Sequence, residues 1–492
     1  MSSSLKHKSI NSMGWSLVDN VVGTGTSFLV GLVLARLLSP GEFGIIGIIM
    51  VFLSIALIFI DSGFSQALIR KKEASPKDYN TLFWFNLMVA IVCYATIFAI
   101  SGFIADFFEQ PLLDPVLKVT ALMLIFNALS IVQRVIFIRL LDFRTQASTT
   151  IVSSVLSGVV GIVMAFMGYG VWSLVGQILT RYLVQTIMFW VRCSWRPQMR
   201  VYGDSFREMF HFGHKLLLSG LLDTLYRNLS YIVIGKFYST QALGQYTRAG
   251  QFANIFSANL LSVVQKVSYP VLSSIQDEPE RLKAGYQKMI KTSMLLTFAL
   301  ILGMVAVAKP MILILIGEKW LPAVYYLQII CLAEMLYPLH AINLNILNVK
   351  GRSDLFLRLE VIKKTLAIPM ILAGIYYSIE AMLWCGVLFS FVAYFLNAYY
   401  SAKLIDYPIS QQVKDILPTF VVSVGVAVVM WGVNFLNLNL YVTFFLQITV
   451  GISLAIVIYN KLKLEEYLEV RSIVKSFLKR IFNRDNKEEY GT

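Results

Sequence analysis

Charged side chains inside long apolar runs are the residues here with chemistry to explain. Arg181, Arg227 and Arg248 each sit well inside a hydrophobic stretch. An ionised group within a membrane span is expensive and marks a functional site by default. Arginine fits phosphate chemistry best, because its planar fork engages two oxygens at once. The competing reading is a local ion pair. It applies most directly to Asp223 and Arg227, which are four residues apart and share a helix face. A second set, Arg134, Arg139, Lys266, Lys363 and Lys364, falls near the ends of such stretches, where snorkelling is the plain account. Lys266 closes a polar run, "NIFSANLLSVVQK", that holds Asn254, Asn259 and Gln265 and suggests a wet helix face.

The acids Asp19, Asp61, Asp223 and Glu334 are the counterpart. Glu334, in "CLAEMLYPLH", has no cation within a helical turn in sequence and is the leading proton-coupling candidate, ahead of Asp223 and Asp61. Asp61, in "FIDSGFSQ", has the simpler option of binding backbone or water. Tyr226, Tyr231, Tyr246, Tyr337, Trp172, Asn254 and the amides Asn343, Asn345 and Asn348 supply aromatic faces and neutral hydrogen-bonding groups. Tyrosine and tryptophan also gather at membrane interfaces without any binding role.

The elements that must hold these groups follow from composition. Of 492 residues, 57% are hydrophobic and 14% charged, against about 25% charged in soluble domains. Repeated apolar runs of about 20 residues describe a polytopic membrane protein. The net charge of +14 then belongs to cytoplasmic loops, which collect Lys and Arg, and nucleic acid is not an expected partner. Four isolated cysteines, without C-x-x-C or a Cys/His cluster, support neither a metal site nor a disulfide framework. There is no Walker A sequence, and no cofactor is expected. The N-terminus reads as a first spanning helix and not as a cleavable signal.

Apolar runs divide the chain into about fourteen spans, near 12–38, 42–67, 80–108, 116–139, 146–168, 170–193, 210–238, 242–268, 290–316, 321–348, 356–377, 380–402, 413–436 and 440–460. Alternate loops, such as "LIRKKEASPKDY" and "QDEPERLKAGYQKMIK", are rich in Lys and Arg. The intervening ones, such as "SPGE" and "DFFEQPLLD", are short and neutral or acidic. This alternation places both termini in the cytoplasm. Beyond Lys461, apolar residues at helical spacing among cations fit an amphipathic helix, either on an anionic leaflet or packed beneath the bundle.

Two stretches echo one another: "LARLLSPGEFG", ending at Gly44, and "IGKFYSTQALG", ending at Gly244, 200 positions later. Arg36 meets Lys236 and Ser39 meets Ser239 across that offset. Six spans separate the pair, so the two units enter the membrane in the same direction, as a parallel repeat. The expected architecture is all-α, with two six-helix lobes in parallel repeat around a central cavity and two further C-terminal helices. The expected divisions are 1–200, 201–408, 409–460 and a cytoplasmic tail, 461–492. Arg36 is expected to snorkel outward.

"LARLLSPGEFGIIGI", "DSGFSQALIRKKEASPKDYNTLFWFN", "IGEKWLPAVYYLQIICL" and "NVKGRSDL", in that order and spacing, resemble the Wzx-type lipid-linked oligosaccharide flippases. These belong to the multidrug/oligosaccharidyl-lipid/polysaccharide (MOP) exporter superfamily, and the likeness is strongest to the colanic acid exporter type. The resemblance implies a transporter and not an enzyme, in the bacterial cytoplasmic (inner) membrane. It would move undecaprenyl-pyrophosphate-linked repeat units outward for lipopolysaccharide, capsule or exopolysaccharide synthesis. Membrane lipids, the lipid-linked substrate, and polymerase and chain-length machinery are the implied partners. Under that reading Arg181, Arg227, Arg248, Lys266 and Arg134 are the pyrophosphate candidates, and Tyr226, Tyr246, Asn254 and Asn343 the sugar candidates. A small-molecule or drug antiporter of the same superfamily is the alternative; acidic, aromatic sites would suit cationic drugs, whereas deep arginines favour an anion.

Overall fold

The computed structural model describes residues 22–472 and 475–476, with the side chains of 256, 258–263, 265–267 and 353 left aside. Asp19 therefore lies outside the described residues, as does the Lys266 side chain. Every described element is helical, and no strand occurs among the described residues. Ten of the described helices are long and apolar enough to cross a membrane, so the protein is an all-α, multi-pass membrane protein.

The chain divides into two compact units, the first ending at Thr247 and the second beginning at Arg248. In the first, α1 (Val22–Leu37) is followed by α2 (Pro40–Asp61), α3 (Phe64–Arg70), α4 (Pro76–Phe107), α5 (Leu113–Thr120) and α6 (Leu122–Arg139). Then come α7 (Phe143–Phe166), α8 (Val171–Arg192), α9 (Gly203–Phe237) and the opening turns of α10 (Thr240–Ser274). The 22 residues of α2 rise about 33 Å, enough for a hydrocarbon core of about 30 Å.

Helix starts follow local chemistry. Ser39 precedes Pro40, whose missing N–H costs nothing in a first turn, and its N–H and hydroxyl both donate to Glu42, at 2.6 and 2.9 Å. Ser239 does the matching work for α10, its hydroxyl accepting from the Ala242 N–H at 3.1 Å. The two serines paired by the repeat thus begin equivalent helices. Asp142 caps α7 by accepting from the Thr145 N–H at 3.1 Å.

Within this unit α7 packs on α8, α4 on α6, and α2 on α9. The last pair runs antiparallel, with Gly235 against Ile48, Gly220 against Ile58 and Gly213 against Ser62. Small residues at such a crossing let backbones approach where lipid provides no hydrophobic drive.

The second unit continues α10 into α11 (Pro279–Leu315), α12 (Leu321–Glu334), α13 (Tyr337–Val349), α14 (Ser353–Leu366) and α15 (Ile368–Tyr376). It closes with α16 (Ile379–Ile405), α17 (Ile409–Gly432) and α18 (Leu440–Lys461). Here α11 packs on α12, α17 and α18, and α16 on α12, α13 and α15. Two expected spans are each broken in the middle, at Met335–Leu336 and at Ala367, and each break is followed by a proline in the next first turn, Pro338 and Pro369. Proline removes an i→i−4 hydrogen bond and cannot continue the preceding turn. Of the two readings of the tail, residues 465–472 favour packing on the bundle. Glu466 is buried and accepts from the Thr419 hydroxyl at 2.9 Å, and Lys288 pairs with Glu469 at 2.5 Å.

Candidate functional site

Arg181 occupies the middle of α8, half-buried, and donates to the Ser27 hydroxyl of α1 at 3.3 Å. Among the described residues it forms no ion pair. A guanidinium inside an apolar helix, held by a neutral hydroxyl, keeps most of its five donors for another acceptor. Arg227 differs: it pairs with Asp223 one turn back at 2.8 Å, and the two side chains are 76% and 46% exposed. An exposed pair of this kind contributes little to stability.

Arg248 stands in the second unit, only 4% exposed, over the face of Trp320 at 5.9 Å and donating to the Gln251 amide oxygen. Arg134 faces the Phe189 ring at 6.0 Å and reaches the Asn127 amide oxygen at 3.5 Å. The remaining candidate cation, Lys266, is placed only by its backbone in α10. Arg139 is occupied by backbone: its guanidinium donates to the carbonyls of Leu68, Ile69, Lys71 and Lys72, at 3.3 Å for Ile69 and 3.2 Å for Lys72. That ties the end of α6 to the end of α3.

Glu334 closes α12 and is 7% exposed, with its carboxylate accepting from the Ser257 hydroxyl of α10. No ion pair reaches it among the described residues. A buried polar cluster lies further along this unit. The Asn343 amide oxygen accepts from the Tyr286 hydroxyl at 2.8 Å and from Ser401, while its nitrogen donates to the Leu339 carbonyl at 2.9 Å. Asn343 is fully buried and its amide is engaged by protein on both ends. Asn254 is exposed and donates to the Gly250 carbonyl at 3.0 Å. Tyr246 is half-buried and packs edge-on against Tyr231, centroids 5.3 Å apart; Tyr226 is half-buried on α9. Asp61 ends α2 and lines a cavity there.

The repeated turns meet each other. A Cβ added to Gly44 would lie 1.8 Å from the Thr240 carbonyl oxygen, and one added to Gly244 would lie 1.8 Å from that of Pro40. The contact is reciprocal, each glycine facing the first residue of the other helix. Lys236 then bridges to Glu109 at 2.9 Å and lies 5.1 Å from the Phe107 ring. This ion pair holds the Glu109 carboxyl below the usual carboxylate range. The sequence shows the echo but not the contact; glycine at the same offset in both copies was its only signal.

A multi-pass array of long apolar helices defines an integral membrane protein. The chain belongs to the family described as polysaccharide biosynthesis protein, which matches residues 33–325. It is 25% identical over 85% of its length to the teichuronic acid biosynthesis protein TuaB of Bacillus subtilis (strain 168), covering 87% of that protein. It is 26% identical over 75% of its length to the lipopolysaccharide biosynthesis protein WzxC of Escherichia coli (strain K12), covering 76% of it. Among solved structures the lipid II flippase MurJ, in an inward closed conformation, superposes with a TM-score of 0.71 at 15% identity. That match covers 92% of this chain and 99% of the other. An inward-facing multidrug resistance transporter of the MOP superfamily gives 0.61 at 14% identity, over 79% of this chain and 98% of that one. The shared fold is that of MOP-type transporters.

Proposed function

We propose that this protein moves undecaprenyl-pyrophosphate-linked oligosaccharide units from the inner to the outer leaflet of the bacterial cytoplasmic membrane. It does so by alternating access, as a transporter and not as an enzyme, for lipopolysaccharide, capsule or exopolysaccharide assembly. Fourteen spans with both termini in the cytoplasm complete this reading, on the strength of the alternating loop charge. The lobes are assigned to 1–200 and 201–408 on the strength of the repeat.

The observation that carries the reading is Arg181, a mid-span guanidinium whose described partner is a neutral hydroxyl. A pyrophosphate crossing the bilayer needs such donors, because phosphate and guanidinium compensate each other where water is scarce. Arg248 and Arg134 face aromatic rings and amides, and they stand second. Arg227 ranks below them, since Asp223 already neutralises it. For coupling, Glu334 ranks ahead of Asp223 for the same reason. Polymerase and chain-length proteins are proposed as partners.

The test combines genetics with substitution. A deletion strain should lose surface glycan and accumulate lipid-linked repeat units in the inner leaflet. Arg181→Ala, at matched protein level, should cut export about a hundredfold, the loss of one buried charge-assisted contact. Normal surface glycan in the deletion strain, with no second exporter present, would overturn the function. Full export by Arg181→Ala would overturn the role of that residue.

A further inference from the structure

A cavity of about 520 Å³ opens where the end of α2, the short α3 and the inner portion of α9 meet. Its polar walls are Asp61, Gln66 and Arg70, and its apolar walls are Ile58, Phe212 and Leu216. The corner that makes room for it is unusual. Ser62 and Gly63 both take left-handed backbone, φ 44° and 70°, which turns the chain sharply between α2 and α3. Gly63 and Gly213 then touch backbone to backbone: a Cβ on Gly213 would come 2.4 Å from the Ser62 carbonyl oxygen. The cavity lies beside that crossing, with Gly63 and Gly220 among its walls.

The two charges lining it are not spent on each other. Asp61 and Arg70 form no ion pair with one another or with any other described residue. The Arg70 contact that stands out is the Phe212 ring at 5.1 Å. A carboxylate and a guanidinium that line one cavity without forming an ion pair suit a ligand that is itself zwitterionic. The location narrows the ligand class. Asp61 ends an apolar span, so the cavity lies at headgroup depth, with Ile58 and Leu216 leading into the hydrocarbon region. Its volume falls in the range of small-ligand sites.

We propose that this cavity binds a phospholipid carrying a phosphate and a primary ammonium, phosphatidylethanolamine. The phosphate sits on Arg70, whose fork matches its oxygens. The ammonium donates to Asp61 and to the Gln66 amide oxygen, and the acyl chains follow Ile58 and Leu216. A choline headgroup has no N–H to donate to Asp61, and a glycerol headgroup has no cation for it, so both are disfavoured. The proposal depends on the membrane-spanning architecture and not on what the protein transports.

The experiment uses the full chain, purified and equilibrated with vesicles of equal phosphatidylethanolamine, phosphatidylcholine and phosphatidylglycerol, with retained lipid read by native mass spectrometry. Wild type should retain phosphatidylethanolamine over the other two. Asp61→Asn and Arg70→Gln should each lower its retention about tenfold, as expected for one lost charge-assisted hydrogen bond. Leu216→Trp, which fills the cavity without altering charge, should lower it as well, while Arg207→Gln outside the cavity should leave it unchanged. Equal retention of all three lipids by wild type overturns the proposal even if a variant misfolds. Preference for phosphatidylglycerol that depends on Arg70 alone also overturns it, and would identify a plain anion site.

Discussion

The Gly44–Gly244 crossing gives the most demanding prediction. Alanine at position 44 would bring a carbon to 1.8 Å from the Thr240 oxygen and 2.6 Å from its carbonyl carbon. A tolerable carbon–oxygen approach is about 3.3 Å, so α2 and the start of α10 would have to separate by about 1.5 Å. Both obstacles are backbone, and no rotamer change relieves them. Overpacking of this sort costs about 1–3 kcal/mol, and the rigid obstacle puts it near the top of that range. Under the proposed orientation these turns face outward, and an alternating-access cycle must part them to release substrate. The cost then falls on the outside-closed state alone, and 3 kcal/mol shifts the closed-to-open ratio by about 150-fold. Spin labels at Leu37→Cys and Gln241→Cys, with the four native cysteines replaced, would report the populations by pulsed electron resonance. Gly44→Ala and Gly244→Ala should each add or enlarge a long-distance population. Gly41→Ala is the control on the same helix, because its Cβ would meet the Thr240 hydroxyl at 3.7 Å and the Ser39 hydroxyl at 4.0 Å, both ordinary contacts. If Gly44→Ala and Gly41→Ala gave the same distance distribution in folded protein, the gating argument would be wrong.

Three further outcomes follow from the geometry. Arg139→Met removes the donor that gathers the carbonyls of Leu68, Ile69, Lys71 and Lys72; hydrogen bonds to a charged group contribute about 1.5–3 kcal/mol, so the melting temperature should fall and protease cutting near residues 71–75 should rise. Asn343→Leu strands the buried Tyr286 hydroxyl, while Ser401 keeps the Ala398 carbonyl at 3.1 Å, and should cost more than Tyr286→Phe, at about 1–3 kcal/mol for the stranded group, read by thermal denaturation in detergent. The Lys236–Glu109 pair should depend on acidity. The folded Glu109 carboxyl titrates below its ordinary range, so the contact is complete at neutral pH and is lost as pH falls through that lowered value. Electron resonance distances between labels on α4 and α9 should then widen in acid in wild type and be insensitive to pH in Lys236→Met.

What could be read in advance divides along a physical line. Span positions, alternating loop charge and the serine starts of α2 and α10 depend on local composition and on residues a few positions apart. Such properties survive in a single sequence. Asp223 and Arg227 belong to the same class, since a spacing of four on a helix already puts them in reach. The partners of the remaining charges depend on crossings between distant helices. Ser27 for Arg181, Ser257 for Glu334, and four carbonyls for Arg139 are 154, 77 and about 70 positions away, and neutral partners leave no charge pattern to detect. Arg70 and Gln66 escaped notice for a related reason. They sit on a seven-residue helix directly before a run of lysines, where a cation reads as an ordinary inner-loop charge. Only the left-handed corner at Ser62–Gly63 and the glycine contact with α9 turn that loop charge toward a cavity. A chain can therefore announce that it spans a membrane through composition alone. Which of its charges line a cavity depends on where glycines let two backbones touch, as at Gly63 and Gly213, and a glycine shows its purpose only once the neighbouring helix is in place.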